Sequence, residues 1–149
     1  MRVLLTGGTG YIGSHAALAV LEAGHEPVLF DDFSNSRPYM ADRLSELAGR
    51  PLTVVRGDVR DRQLLESTLS SHRIDAVMHF AGRKSVAESV ADPLAYHAAN
   101  VGGLLALVSA MENADVRAIV FSSSAMVYGD PPSSALAEDH PTAPANPYG

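Results

Sequence analysis

Val3-Leu4-Leu5-Thr6-Gly7-Gly8-Thr9-Gly10-Tyr11-Ile12-Gly13 runs from an apolar segment into spaced glycines, and Ala16, Ala17, Leu18, Val20 and Leu21 then recur at helical spacing. A strand, a tight turn and a helix are the expected products, with Gly24 as the helix stop. The turn reads as G-x-x-G-x-x-G from Gly7 and as G-x-G-x-x-G from Gly8. In such a turn Gly10 lets the backbone approach a pyrophosphate, and Gly13 lets the helix pack against the strand. The anion then meets unpaired N–H groups at the positive end of the helix dipole. A glycine pattern alone is weak, but its place between a strand and an amphipathic helix points to dinucleotide binding, with a purely structural turn as the alternative. No Gly-Lys-Ser/Thr follows, which argues against Walker-type phosphate binding.

Moving outward, Val28-Leu29-Phe30 reads as a second buried strand ending at Asp31. A carboxylate at that distance from the glycines suits the adenosine ribose hydroxyls and would repel the extra phosphate of NADP, so NAD is the expected coenzyme. The competing role for Asp31 or Asp32 is to cap the segment that follows. Arg37 to Ala48 carries Met40, Leu44 and Leu47 at helical spacing, Leu52 to Val55 is a third strand, and Asp58 to Ser71 is helical through Leu64, Leu65 and Leu69. Ala76 to Phe80 is a fourth strand and Ala118 to Phe121 a fifth. Between them Asp92-Pro93 opens a long helix, with a capping carboxylate before a proline, and its Leu94, Val101, Leu104, Leu105 and Val108 are expected to face the sheet.

Short apolar strands separated by helices of ten or more residues imply parallel βαβ units covered on both faces. The fold class is therefore α/β: a Rossmann-like doubly wound parallel sheet with helices on both faces, truncated after the fifth strand. After Ser124 the pattern lapses into Pro131-Pro132 and a Pro/Ala-rich stretch, with no stable element expected beyond Gly129 and mobility expected in the last twenty residues. Residues 1–129 read as the nucleotide-binding core and 130–149 as a loop leading onward. The chain reads as cut off, with any substrate domain outside it.

Of 149 residues, 46% are hydrophobic and 19% charged, enough for one core. The net charge of -6, with ten scattered Arg and a single Lys, argues against nucleic-acid and anionic-membrane partners. No cysteine is present for a disulfide or thiolate site. The histidines at 15, 25, 72, 97 and 140 lack metal-ligand spacing, so no metal is expected. No stretch reads as the roughly 20 apolar residues that span a bilayer, and the chain is expected to be soluble and cytoplasmic.

Other candidates lie at the strand ends. Asp58-Val59 follows the third strand and borders the adenine, unless Asp58 caps the next helix. Phe80-Ala81-Gly82 closes the fourth strand with small residues that let a coenzyme lie over the sheet where strand order reverses, unless it is only a tight turn. Ser122-Ser123-Ser124 follows the fifth strand, and Ser124 is placed to bond a substrate hydroxyl or simply to cap a turn. Removing a hydroxyl proton as hydride leaves carbon needs a base; a tyrosine, with an ordinary pKa of about 10, serves only if positive charge stabilises its phenolate. Lys84 is the one lysine, suited to phosphate or ribose, and nothing in the sequence brings it to Tyr148. His79 reads as a packed histidine rather than a proton shuttle.

Together Thr6 to His15, Asn35-Ser36, Gly57-Asp58-Val59-Arg60, His79-Phe80-Ala81-Gly82, Glu88-Ser89 and Phe121-Ser122-Ser123-Ser124-Ala125-Met126-Val127-Tyr128-Gly129 resemble the amino-terminal part of the UDP-glucose 4-epimerase family of extended short-chain dehydrogenase/reductases. Pro147-Tyr148-Gly149 is similar to the start of the family's Tyr-x-x-x-Lys motif. The resemblance covers the whole chain, and the serine run with Val-Tyr-Gly is its most selective part. It implies Ser124 and Tyr148 as the catalytic pair, and Gly7, Gly10, Tyr11, Ile12 and Gly13 against the diphosphate. It also implies Asp31, Asn35, Ser36, Asp58 and Val59 on the adenosine side, Phe80, Ala81 and Gly82 beneath the coenzyme, Lys84 near the nicotinamide and the sugar diphosphate, and Ser122 among the coenzyme contacts. The implied activity interconverts UDP-glucose and UDP-galactose through a 4-keto sugar on tightly held NAD, in a full-length enzyme that forms a homodimer.

Three departures stand out. Met126 replaces a usual Thr and so loses a hydroxyl. Ala99 and Gly102 replace asparagines while Asn100 remains. The chain ends before the motif's lysine, so these residues alone are expected to be inactive. Two rival functions fit the same residues. A nucleotide-sugar 4,6-dehydratase would carry an Asp-Glu pair after the catalytic Ser/Thr, where Ala125-Met126 stands here. A non-catalytic NAD-binding module is the reading if the natural chain stops at Gly149.

Overall fold

Side chains alternate across the sheet, and the first two strands show it residue by residue. Val3 and Leu5 of β1 (Arg2–Thr6) and Leu29 of β2 (Glu26–Asp31) join one core, whereas Leu4, Val28 and Phe30 join the other. Apolar residues on both faces require a cover on both faces. This computed structural model describes residues 1–130 and 135–149. Pro131 and Pro132, read above as the start of the proline-rich stretch, lie outside the described residues.

The other strands are β3 (Thr53–Arg56), β4 (Ala76–His79) and β5 (Ala118–Phe121), in the parallel order β3-β2-β1-β4-β5. Strand order reverses between β1 and β4. One face is covered by α1 (Tyr11–Glu22) and α2 (Tyr39–Ala48), which contribute Ala17 and Leu44 to the core containing Leu5 and Leu29. The opposite face is covered by α3 (Arg62–Ser71) and α5 (Pro93–Asn113), through Leu65, Leu69, Leu107, Ala110 and Met111. The short α4 (Val86–Ala91) was not expected from the sequence; Ser85 caps it by accepting from the Glu88 N–H. Asp92 caps α5 as read from the sequence, accepting from the Ala95 N–H with Pro93 in the first turn.

Three expectations need correction. The first concerns α5: Tyr96, Gly103, Leu107, Ala110 and Met111 are its buried residues, while Leu94 (79% exposed), Val101, Leu105 (66% exposed) and Val108 point outward and Leu104 is half-buried. The helix is apolar nearly all round, so periodicity offered two stripes and the sequence reading took the wrong one. The second concerns length. Pro93–Asn113, with mean hydropathy 1.4, is long and apolar enough to cross a membrane by composition alone, but its Leu107, Ala110 and Met111 belong to the core built on β1, β2 and β4. The third concerns β5, whose residues are all exposed, so the two-sided cover expected for every strand stops at β4.

Candidate functional site

The glycine turn is shaped by contacts that leave no room for side chains. Gly7 adopts φ +68°, and a Cβ there would lie 2.8 Å from the Ala81 nitrogen, so the turn rests directly on the chain leaving β4. On Gly13 a Cβ would collide with the Gly7 carbonyl oxygen, which fixes the approach of α1 to the turn. The Gly7 N–H donates to the Phe30 carbonyl at 2.8 Å, binding the turn to the end of β2. Gly10 is the N-cap of α1 and offers no side-chain acceptor, and the first turn of α1 holds no acidic residue. The amino end of α1 thus keeps N–H groups that no side chain caps, at the positive pole of the helix.

Asp31, buried at 7% exposure, ties this turn to the loop after β2. Its Oδ2 accepts from the Thr9 N–H at 3.0 Å, and its Oδ1 accepts from the Phe33 N–H at 2.9 Å and the Ser36 hydroxyl at 3.1 Å. The capping alternative for Asp31 is therefore real. It is compatible with a second role, because a carboxylate has about four acceptor positions and these bonds use three. Asp58 does not cap α3. That task belongs to Asp61, which accepts from the Leu64 N–H. Asp58 instead receives the Arg60 guanidinium on both oxygens, and this neighbour holds its carboxyl below the usual carboxylate range despite some burial acting the other way.

These parts line one cleft of about 590 Å³ at the carboxyl ends of the strands, over the reversal of strand order. It collects Gly7, Gly10, Tyr11, Ile12, Gly13, Asp31, Asn35, Ser36, Asp58, Val59, Phe80, Ala81, Gly82, Lys84 and Ser122, every cofactor-side residue singled out in the sequence. Arg60, Arg83, Ser85, Glu88 and Tyr96 also line it and were missed. Their signals were faint: a charge pair two residues apart at Asp58 and Arg60, and a Ser85-x-x-Glu88 capping pattern. A more open hollow of about 700 Å³ lies at the other end of the sheet, where Arg50 pairs with Glu26 and the Arg2 N–H with Asp75. It faces away from the amino end of α1.

Ser124 and Tyr148 are not among the cleft residues. Ser124 is the N-cap of a 3-10 turn, Ala125–Tyr128, accepting from the Met126 N–H at 3.2 Å, so its capping role is realised. The tail returns to this turn: the Ala143 N–H donates to the Val127 carbonyl, and Gly149 packs on the Met126 carbonyl. Ser124 and the Tyr148-Gly149 end are thereby brought to one region beside β5. His79 is a packed residue, 3% exposed, sharing a 2.6 Å hydrogen bond with the Thr6 hydroxyl and stacked on Phe121. Burial pushes its pKa down to about 4. Among the described residues no three His, Asp or Glu side chains form a metal-holding group.

Residues 4–149 match the family model described as GDP-mannose 4,6 dehydratase. A UDP-glucose 4-epimerase from Klebsiella pneumoniae is 49% identical over 132 residues, covering 89% of this chain and 95% of that one. The chain belongs to the UDP-glucose 4-epimerase family. The family's Yersinia pestis enzyme is 49% identical over the whole chain, which spans 44% of that protein's length. In three dimensions the chain superposes on the Stenotrophomonas maltophila UDP-glucose 4-epimerase with bound NAD and formylated UDP-arabinopyranose, at TM-score 0.96 and 43% identity. The Bifidobacterium longum enzyme in complex with NAD+ and UDP gives 0.95 and 40%. In both cases 99% of this chain covers 44% of the neighbour. The five-stranded parallel Rossmann-like sheet is thus the amino-terminal architecture of these family structures.

Proposed function

We propose that the protein containing this chain is an NAD-dependent UDP-glucose 4-epimerase, interconverting UDP-glucose and UDP-galactose. One observation carries the reading: the uncapped amino end of α1, the Asp31 carboxylate and Lys84 open into a single cleft over the strand-order reversal. The glycine cradle, whose Cβ positions at Gly7 and Gly13 are filled by neighbouring backbone, fits a dinucleotide diphosphate. Gly10, Tyr11, Ile12 and Gly13 hold that diphosphate. Asp31 accepts from the adenosine ribose, with Asn35 and Ser36 beside it, and Asp58 and Val59 flank the adenine. Phe80, Ala81 and Gly82 lie under the coenzyme, and Lys84 and Ser122 meet its nicotinamide half.

NAD, when bound, supplies a hydride acceptor that is regenerated within one turnover. The chain's own residues do the rest. Ser124 bonds the sugar hydroxyl and Tyr148 takes its proton, with residues 1–129 as the coenzyme core and 130–149 as the approach to Tyr148. The matching family model carries a dehydratase description. Dehydration, however, requires an acid and a base near the departing hydroxyl, and Ala125-Met126 offers neither. A cytoplasmic location fits this substrate class. A homodimer fits the outward stripe of Leu94, Val101, Leu105 and Val108 on α5.

The test uses the full gene product. Tyr148→Phe is expected to retain NAD and nearly abolish turnover, and Asp31→Ala to weaken NAD binding measured by calorimetry. A substantially unchanged rate in the first variant defeats the proton-transfer role, and an unchanged affinity in the second removes Asp31 from the ribose. Release of a 4-keto-6-deoxy sugar in place of the galactose epimer replaces this reading with the dehydratase.

A further inference from the structure

Lys84 sits at the tip of a short strap between β4 and α4, and α5 grips the strap on both sides of it. Before the lysine, the Asn100 carboxamide accepts from the Arg83 N–H at 2.8 Å and donates to the Arg83 carbonyl at 2.9 Å, as a neighbouring strand would. Gly82 permits the approach, since a Cβ there would lie 3.2 Å from the Asn100 oxygen. After the lysine, the Ser85 N–H donates to the Tyr96 hydroxyl at 2.9 Å, and that hydroxyl donates to the Glu88 carboxylate at 3.0 Å.

The second grip is a modified capping box. In the ordinary form Ser85 would accept from the Glu88 N–H, and the Glu88 carboxylate would reach back to the Ser85 N–H. Here the first bond is present and the return link passes through the Tyr96 hydroxyl. Tyr96 is 2% exposed, and the two bonds of its hydroxyl hold the turn in one place. Tyr96 and Asn100 are one helical turn apart on α5, which sets the two grips side by side.

We propose that Tyr96 and Asn100 are positioning residues that present Lys84 to the dinucleotide cleft. The inference rests on Lys84 contacting the bound dinucleotide, as in the proposed function. A backbone that is already placed lowers the entropy that a lysine ammonium on four rotatable carbons loses on binding, so releasing the strap costs affinity even though the charge remains.

A double-mutant cycle on the full gene product tests this, with NAD affinity by calorimetry and melting temperature measured for each variant. Lys84→Met is expected to weaken NAD about tenfold, the loss of one charge-assisted bond. Tyr96→Phe, which keeps the ring, is expected to weaken NAD about fivefold when Lys84 is present and to add no further loss when Met stands at 84. Asn100→Leu, which breaks the other grip without touching the capping turn, follows the same pattern. Equal weakening by Tyr96→Phe and Asn100→Leu in both backgrounds overturns the positioning role while leaving Lys84 a ligand. An unchanged affinity in Lys84→Met removes the lysine from the coenzyme, and the inference with it.

Discussion

The two ends of the molecule's ligand-facing edge are built differently. At the glycine end, β1, α1 and β2 follow one another directly in the chain, the turn is fixed by backbone against backbone, and Asp31 is buried with three hydrogen bonds from its neighbours. At the β5 end, every strand residue is exposed, Ser124 caps a 3-10 turn, and the tail reaches back by a bond from Ala143 to Val127. Steric exclusion by neighbouring backbone at Gly7 and Gly13 is written into the choice of glycine. A site assembled from β5 and a returning tail depends on how an irregular segment folds back on the 3-10 turn, and residue types alone do not announce it.

Perturbing each end separates the two regimes. The largest effect is expected for Gly13→Ala: the new methyl meets backbone atoms of Gly7 and Gly8 that cannot yield independently, and stability falls by about 3 kcal/mol. Thermal unfolding measures the loss, and NAD titration should show binding falling with it; a fully stable, NAD-binding variant would mean that the turn is less constrained than its geometry says.

His79 sharpens the comparison, because it joins β4 to Phe121 of the exposed strand. Its native pKa lies near 4 and its unfolded value near 6.5, so the unfolded chain binds more protons between those pH values. Stability is therefore expected to be undiminished by this group above pH 6.5 and to fall as pH drops towards 4, by about 3 kcal/mol in all. Denaturant titrations across that range read the slope, and His79→Gln should flatten it. A slope that persists in the variant assigns the loss to other groups.

The smallest effect is expected at Gly102, inside α5, where an added Cβ would meet nothing nearer than the His97 carbonyl at 3.9 Å. Gly102→Ala should stabilise the chain by up to about 1 kcal/mol through helix propensity alone. A destabilised variant, measured by the same unfolding curves, would show that this helix face is more crowded than described.

The same division explains what could be read in advance. The five strands, the helices other than α4 and the glycine turn follow from patterns that span few residues, and all the cofactor-side candidates fall on one cleft. On α5 the reading failed because Leu94, Val101, Leu105 and Val108 form a stripe as regular as the buried one, and only the neighbouring α3 and α4 decide which turns inward. Arg60 and Tyr96 were missed for a related reason. Their importance lies in a partner, Asp58 for one and the Ser85-Glu88 turn for the other, and pairing of that kind is fixed by tertiary geometry.

The central claim is that the amino end of α1 receives the coenzyme diphosphate. Titrating isotopically labelled chain with NAD and following backbone amide resonances tests it directly. The account predicts that the largest shifts fall on Gly10, Tyr11, Ile12 and Gly13, with a second set at Asp31 and Asp58. Shifts confined to the Arg2, Arg50 and Arg73 end of the sheet, with the α1 amides unmoved, would contradict it.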